Sequence, residues 1–414
     1  MFIINKITSH SVFKNTSALL ILQIFNVLGP LVVLPFLTRI LGVDKFGQYM
    51  IFLSISSLGI MIVDFGFNLS ATYYLSKNIK NKNYISKYIA SIYIIKAALV
   101  LIVTFTIYLY FFLKNETTLY SFIIGLNIIS ISFLPIWFFQ AIEKMKNITI
   151  FSSCSKLIYV VSILLIINKD SSLYEILAIL AVSNFLGLLL SLILLKRYKY
   201  EFLLPSYKML INVFLSSIEF FMSRISVSLY TSACTFIIGS ISGSYQSAIY
   251  SASEKLYQAS QVITGSIAQA LFPYMSKNNQ SKILFKVSFV VGCFLSLGCL
   301  IISLYSNDIV RIIYGDEFVH AGKILNIFLI ITVINFISVN YGYPAFSSIN
   351  KLSVVNYSVV IGGFLQLISL YVLYINNSID AYSVVISVLL TETIVMLFRV
   401  IIYIYIKRER HDQL

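Results

Sequence analysis

Charge is what this sequence has least of. Asp, Glu, Lys and Arg make up 11% of its 414 residues, against about a quarter in an ordinary soluble domain. No stretch is left over that could fold as a water-soluble module. Acids are scarcer than bases, 16 against 30, which gives a formal net charge of +14. The basic residues are scattered between apolar runs and share no single face, which excludes nucleic acid as their partner. Cysteine is rare as well. Cys154, Cys234, Cys293 and Cys299 all fall in apolar segments without CxxC spacing or histidine pairing, so neither a disulfide framework nor a metal centre is expected. HExxH, P-loop and Cys-based motifs are missing; no cofactor and no enzymatic activity are expected. Alternating apolar and polar strands are missing too, which excludes a membrane barrel. The start, MFIINKITSHSVFKNTS, has no compact apolar core followed by a small-residue cleavage site and reads as a retained cytoplasmic lead-in.

What is present is apolar sequence. Hydrophobic residues make up 59% of the chain, and the mean hydropathy is +0.90. A hydrocarbon core of about 30 Å takes about 20 helical residues to cross. Runs of that size give twelve expected helices: 17–40, 49–75, 88–112, 119–142, 148–167, 174–195, 209–240, 248–274, 284–305, 321–346, 353–375 and 382–406. The expected fold is an all-α polytopic membrane protein. Lys and Arg in short loops set orientation. Nineteen fall on the side of the N-terminus, against Lys45, Lys114, Lys169 and Arg311 on the other. Both termini are therefore expected in the cytoplasm.

A shift of about 200 residues brings similar stretches together. LGVDKFGQY (41–49) lies over SGSYQSAIY (242–250), so Gly42, Gly47 and Tyr49 meet Gly243, Ala248 and Tyr250 at an offset of 201. YLSKN (74–78) lies over YMSKN (274–278) at an offset of 200. A six-plus-six duplication follows, with bundles 1–195 and 209–414 joined by a basic cytoplasmic linker, 196–208. Both halves enter the membrane in the same direction. Parallel repeats of this kind place substrate at the repeat interface.

Seven basic residues, Arg39, Lys96, Lys156, Arg224, Lys255, Lys323 and Arg399, lie within or at the ends of these helices, with Asp64, Glu219, Glu254 and Glu392. A charge near the bilayer centre costs at least about 2.5 to 3.5 kcal/mol, so each needs a reason. Arg39, Lys323 and Arg399 are near helix ends, where a long stem reaches the interface. Lys96 and Lys156 are deeper, and Arg224 deepest, which makes these three, with Arg39, the expected cationic lining of a substrate cavity. Asp64 has no basic neighbour on its own helix, so its partner must come from another helix or from water; Asp64 and Glu219 are the ion-coupling candidates. Bases outnumber acids, and such a cavity attracts an anion such as pyrophosphate. Pro30 and Pro35 should kink the first helix. The aligned positions of the second half hold Thr231 and Phe236, so the bend is expected in the first half alone, with Gly42 and Gly47 as the turn.

LGPLVVLPFLTRILGVDKFGQY (28–49), IVDFG (62–66), the polar YYLSKNIKNKN and IVRIIYGDEFVHAGKILNIF (309–328) resemble the pattern of Wzx-type flippases. These are polysaccharide exporters of the multidrug, oligosaccharidyl-lipid and polysaccharide exporter superfamily. The resemblance implies two six-helix bundles around a cationic cavity. It also implies transport of an undecaprenyl-pyrophosphate-linked oligosaccharide, O-antigen or capsule, from the cytoplasmic to the periplasmic leaflet of the bacterial inner membrane. Alternating access coupled to an ion gradient would drive it, with the polymerase and chain-length regulator of the same pathway as partners. Arg39 matches the basic residue before the first loop and Asp64 the acid of the DFG-like stretch. Three other readings compete. A multidrug or toxin extruder is expected to favour acidic cavity groups. Peptidoglycan-precursor flippases typically have fourteen helices. A membrane glycan polymerase usually carries a large outer loop, whereas the longest here, 306–320, has about fifteen residues.

Overall fold

The computed structural model describes the backbone of residues 2–78, 81–278, 281–349 and 351–412, and side chains from residue 32 onward in most of that range. The described residues form helices and no strand. In chain order these are α1 (Phe2–Asp64), α2 (Phe67–Lys77), α3 (Lys82–Leu113), α4 (Leu119–Ser132), α5 (Ile136–Ala141), α6 (Met145–Ile166), α7 (Leu173–Lys196) and α8 (Tyr207–Leu229). They continue as α9 (Ser232–Ser242), α10 (Ser244–Asn278), α11 (Ser281–Leu304), α12 (Ser306–Tyr314), α13 (Ala321–Asn340), α14 (Tyr343–Ser347), α15 (Leu352–Ile375) and α16 (Ala381–Asp412). Ten candidate membrane spans, some running through a break, are long and apolar enough to cross a bilayer among the described residues. The chain is an all-helical, multi-pass membrane protein.

Ten differs from the twelve expected for two identifiable reasons. The side chains of half of the expected first span, 17–40, lie outside the described residues, those of Pro30 among them. The expected span 248–274 falls in α10, which is 35 residues long but is not apolar enough to count. Residues 247–254 of α10 are buried without interruption. A helix wrapped by protein has no lipid to satisfy, so it can carry Ser, Gln and Glu where a lipid-facing span cannot.

Contacts divide the chain into two compact units, Met1–Phe36 with Phe52–Ile225, and Leu37–Ile51 with Ser226–Leu414. The tip of the first hairpin, residues 37–51, therefore packs with the second half. Residues 209–225, read from sequence as the start of the second bundle, group with the first unit.

In the first unit an aromatic core gathers Phe65, Phe67, Trp137, Phe138, Phe139 and Phe151. A chain of side-chain hydrogen bonds ties four helices together. Asn127 of α4 donates to Ser56 of α1 (2.8 Å), Asn184 of α7 donates to Asn127 (2.7 Å), and Ser155 of α6 donates to Asn184 (2.9 Å). Such bonds fix helix neighbours where lipid tails supply no hydrophobic drive.

In the second unit Gln366 of α15 plays the same part. It donates to Ser387 of α16 (2.9 Å) and accepts from Thr391 (2.9 Å). The hairpin tip is held there by several bonds. Arg39 donates to the Ile312 carbonyl (2.7 Å), Glu317 accepts from the Val43 N–H (2.9 Å), and Phe46 meets Phe318 edge to face. A Cβ on Gly47 would fall 1.9 Å from the Ser244 carbonyl oxygen, so only glycine lets these backbones meet. Gly42 (φ 68°, ψ 175°) and Gly243 (φ 88°, ψ 177°), aligned by the 201-residue offset, take the same glycine-only conformation.

The break in helical backbone angles within α1 falls at Gly42. Gly42 is the only non-helical residue inside α1, so the backbone keeps helical angles through Pro30 and Pro35. Proline holds φ near −65°, itself a helical value, and can forfeit a hydrogen bond without ending the helix. The expected span 209–240, by contrast, is interrupted at Tyr230 and Thr231, although it contains no proline. Thr231 is the residue aligned with Pro30, so the interruption belongs to the second half.

A candidate charged site at helix breaks

Besides 209–240, three expected spans that looked continuous are broken. The span 49–75 breaks at Phe65 and Gly66, after α1 ends at Asp64; the span 119–142 breaks between Ser132 and Ile136; the span 321–346 breaks at Tyr341 and Gly342. Each break leaves a helix C-terminus whose last carbonyls lack intrahelical partners and carry partial negative charge. That is where buried cations are found.

The first break is forced by close packing. Phe65 (φ 45°) and Gly66 (φ 74°) are both left-handed, and a Cβ on Gly66 would lie 2.7 Å from the Phe221 nitrogen and 2.8 Å from the Phe220 Cβ. Phe65 takes an unfavourable conformation and recovers its cost by stacking between Phe214 (4.4 Å) and Phe221 (4.5 Å). α1 therefore stops at Asp64 and presents its carboxylate at a half-helix end.

Lys96 meets that carboxylate from α3. Its ammonium lies 3.3 Å from Asp64 Oδ1 and donates to the Ser132 carbonyl at 2.6 Å, so it joins the C-terminal ends of α1 and α4. Asn68, in the first turn of α2, donates to the same Asp64 oxygen at 2.8 Å. Lys96 is 1% exposed and Asp64 15%. Asp64 and Lys96 are thus brought together as an ion pair. The partner of Asp64 does come from another helix.

The other sequence candidates stand apart from this pair. Arg224 and Glu219 are both exposed on α8. At five residues apart they point about 140° away from each other around the helix, and no salt bridge joins them among the described residues. Lys156 is half-buried on α6 and pairs with no carboxylate there. Arg39 is exposed and belongs to the hairpin tip in the second unit.

The second unit has a charged cluster that sequence reasoning passed over. Arg399, 7% exposed, donates from Nε to Ser358 Oγ (2.8 Å) and from Nη1 to the Ser338 carbonyl (3.0 Å) and hydroxyl (3.1 Å), covering the last turn of α13. Glu392, 8% exposed, accepts a long bond from Asn335 (3.4 Å). Both line a cavity of about 220 Å³ with Tyr230, Tyr343 and Thr391. Their spacing of seven residues, two turns of one helix face, was the available signal. Reading Arg399 as a helix-end residue free to reach the interface obscured it. Glu254 on α10 is a further buried carboxylate, held by Thr235 (3.3 Å) and Gln258 (3.1 Å).

With this geometry in view, comparison with known proteins becomes informative. A family model described as "Polysaccharide biosynthesis protein" matches residues 12–279. The chain belongs to the polysaccharide biosynthesis protein family. It is 26% identical over 400 residues to a Shigella dysenteriae protein described as "Putative O-antigen transporter", covering 93% of this chain and 98% of that one. An Escherichia coli K12 protein of the same description is 25% identical over 382 residues, covering 87% of this chain and 89% of that one. Among solved structures, the lipid II flippase MurJ in an inward closed conformation superposes with a TM-score of 0.70 at 12% identity, over 94% of this chain and 87% of that one. An inward-facing MATE family multidrug resistance transporter of the MOP superfamily gives 0.67 at 11% identity, over 92% and 96%. This family member therefore shares its fold with these two solved structures.

Proposed function

We propose that this protein is a flippase that moves undecaprenyl-pyrophosphate-linked oligosaccharide units, O-antigen or capsule, from the cytoplasmic to the periplasmic leaflet of the bacterial inner membrane. The observation that carries the reading is the Lys96–Asp64 pair at the junction of two interrupted helices, in a chain of the polysaccharide biosynthesis family. Transporters build coupling sites from the ends of discontinuous helices, and an ion pair largely withdrawn from water, with Lys96 1% and Asp64 15% exposed, gains little stability of its own, because desolvating two charges offsets most of their attraction. In this reading Asp64 takes up the coupling ion. Protonation removes the counter-charge of Lys96, frees its ammonium for an anionic substrate, and links the ion gradient to alternating access.

The working architecture is twelve helices in two bundles, 1–195 and 209–414, joined by the linker 196–208, with both termini cytoplasmic. Lys96, Lys156, Arg224 and Arg39 are the proposed cationic substrate-binding residues, with Glu219 as a second coupling carboxylate. Pro30, Pro35, Gly42 and Gly47 form the gating segment. The polymerase and chain-length regulator of the same pathway are the downstream partners. Translocation makes and breaks no covalent bond, so no enzymatic step is assigned.

The test is reconstitution into proteoliposomes with a fluorescent polyprenyl-pyrophosphate oligosaccharide, scored by the fraction that crosses the bilayer. Wild-type protein should move it faster when a proton or sodium gradient is imposed. Asp64→Asn should retain the fold and lose the gradient dependence. Gradient-driven movement unchanged in Asp64→Asn would exclude Asp64 from coupling, and no movement by the wild-type protein would exclude the flippase reading.

A further inference from the structure

A second polar cavity, of about 310 Å³, lies in the first unit, where the C-terminal end of α2 meets the starts of α3 and α8. Tyr74, Tyr84 and Tyr88 form its aromatic wall; Ser206, Lys208 and Asn212 supply a hydroxyl, an ammonium and an amide. The rings are grouped, with Tyr84 5.7 Å and Tyr74 6.4 Å from Tyr88, centroid to centroid. Asn81 accepts from the Tyr84 N–H (3.0 Å) and caps α3, which fixes where the wall begins. Tyr88 is buried, Tyr74 and Tyr84 are half-buried, and Lys208 and Asn212 are exposed. The cavity thus has a rigid aromatic back and a polar, accessible mouth. Lys77, Lys82 and Lys87, all exposed on the same two helices, add positive charge nearby. Its volume is at the lower end of the range of about 300–1,000 Å³ usual for small-molecule sites, and its few polar groups converge on one space.

The internal repeat provides a control. At the offset of 200 set by YLSKN and YMSKN, Tyr74 corresponds to Tyr274, but Tyr84 and Tyr88 correspond to Leu284 and Ser288. The three-tyrosine wall therefore has no counterpart in the second half, as expected of a site and not of a structural element of the repeat.

We propose that this cavity is the loading site for the head of the lipid-linked glycan, and that it binds the sugar joined directly to phosphate. The inference rests on the flippase reading. Tyrosine rings present flat apolar faces and hydroxyls to a sugar ring, Asn212 can donate to and accept from sugar hydroxyls, and Lys208 supplies a point charge for phosphate. The cavity opens on the side that the distribution of Lys and Arg assigns to the cytoplasm, where such a substrate is assembled.

The experiment measures binding to purified protein in nanodiscs of two probes: a short-chain polyprenyl pyrophosphate carrying one N-acetylhexosamine, and the same lipid pyrophosphate without sugar. Wild-type protein should prefer the sugar-bearing probe. Asn212→Ala, at an exposed position that leaves the fold intact, should reduce that preference by about tenfold, the effect of losing hydrogen bonds to a sugar. Tyr84→Leu, which installs the residue of the other half, should do the same, and Lys208→Gln should weaken both probes equally. If wild-type protein prefers the sugar-bearing probe and Asn212→Ala and Tyr84→Leu keep that preference, the cavity is not the loading site and the flippase reading stands. If wild-type protein binds neither probe, the flippase reading fails and takes this inference with it.

Discussion

In the first unit α4 stops at Ser132 and the chain resumes as helix at Ile136, past Pro135; in the second, α13 stops at Asn340 and resumes at Tyr343, just before Pro344. These are the fourth and tenth of the expected spans, which the expected repeat would make equivalent. Each break is covered by a buried cation that donates to a carbonyl near the helix end, Lys96 to Ser132 and Arg399 to Ser338. Lys96 comes from α3 and Arg399 from α16. Position 296, where the offset would put a second Lys96, holds Ser296. The charge balance differs as well. Lys96 has Asp64 at 3.3 Å, whereas Arg399 is surrounded by serine oxygens and Glu392 lines the same cavity without a salt bridge to it. One break is thus locked by an ion pair and the other lined by separated charges. The same architectural need, a cation for an orphaned helix end, has been met twice by different helices and with different charge balance.

Mutations in the first unit should reveal the largest effects. Lys96→Met leaves Asp64, only 15% exposed, without its counter-charge and should lower stability by about 3 kcal/mol, read as a fall in the thermal midpoint of detergent-purified protein. Adding Asp64→Asn should restore part of that loss, and an additive double mutant would refute the coupling. Arg399→Met removes hydrogen bonds from serine and carbonyl oxygens and strands no charge within salt-bridge distance, so it should cost less, about 2–3 kcal/mol. A larger loss than for Lys96→Met would overturn the contrast between the breaks. Gly66→Ala forces a side chain into left-handed backbone against Phe220 and Phe221 and should cost about 1–3 kcal/mol, visible in the same melting experiment. Arg224→Ala should change stability by no more than about 0.5 kcal/mol. Its effect should fall on export alone, measured as surface polysaccharide in a deletion strain at equal protein level.

Much of the all-helical membrane fold was legible because hydropathy over a 20-residue window survives local detail. The same averaging hid the breaks. Two or three non-helical residues at 65–66, 133–135 or 341–342 barely change the mean over an apolar run. Pro135 and Pro344 were visible, but a proline alone does not say whether a helix bends or stops, as Pro30 and Pro35 illustrate by remaining helical. Asp64 announced its need for a partner by lacking one within its own helix; that Lys96 answers it depends on a contact 32 residues away, which no local pattern encodes. Arg399 was misjudged because depth along a sequence was taken as distance from water. Its neighbours Ser338 and Ser358 come from other helices and enclose it.

The hairpin tip also has a consequence in time. Residues 37–51 are made early, yet Glu317 and Phe318, which hold Val43 and Phe46, are made some 270 residues later. At about 5–20 residues per second, the tip spends roughly ten to sixty seconds without the surface that will cover it. For that interval Phe46 and Tyr49, both fully buried in the finished molecule, must be sheltered by lipid, by the insertion machinery or by a temporary neighbour. Assembly of the second half is then also the step that completes the first hairpin, and a ribosome stalled before residue 317 would leave a chain whose earliest membrane segments are inserted but whose outermost turn is still waiting.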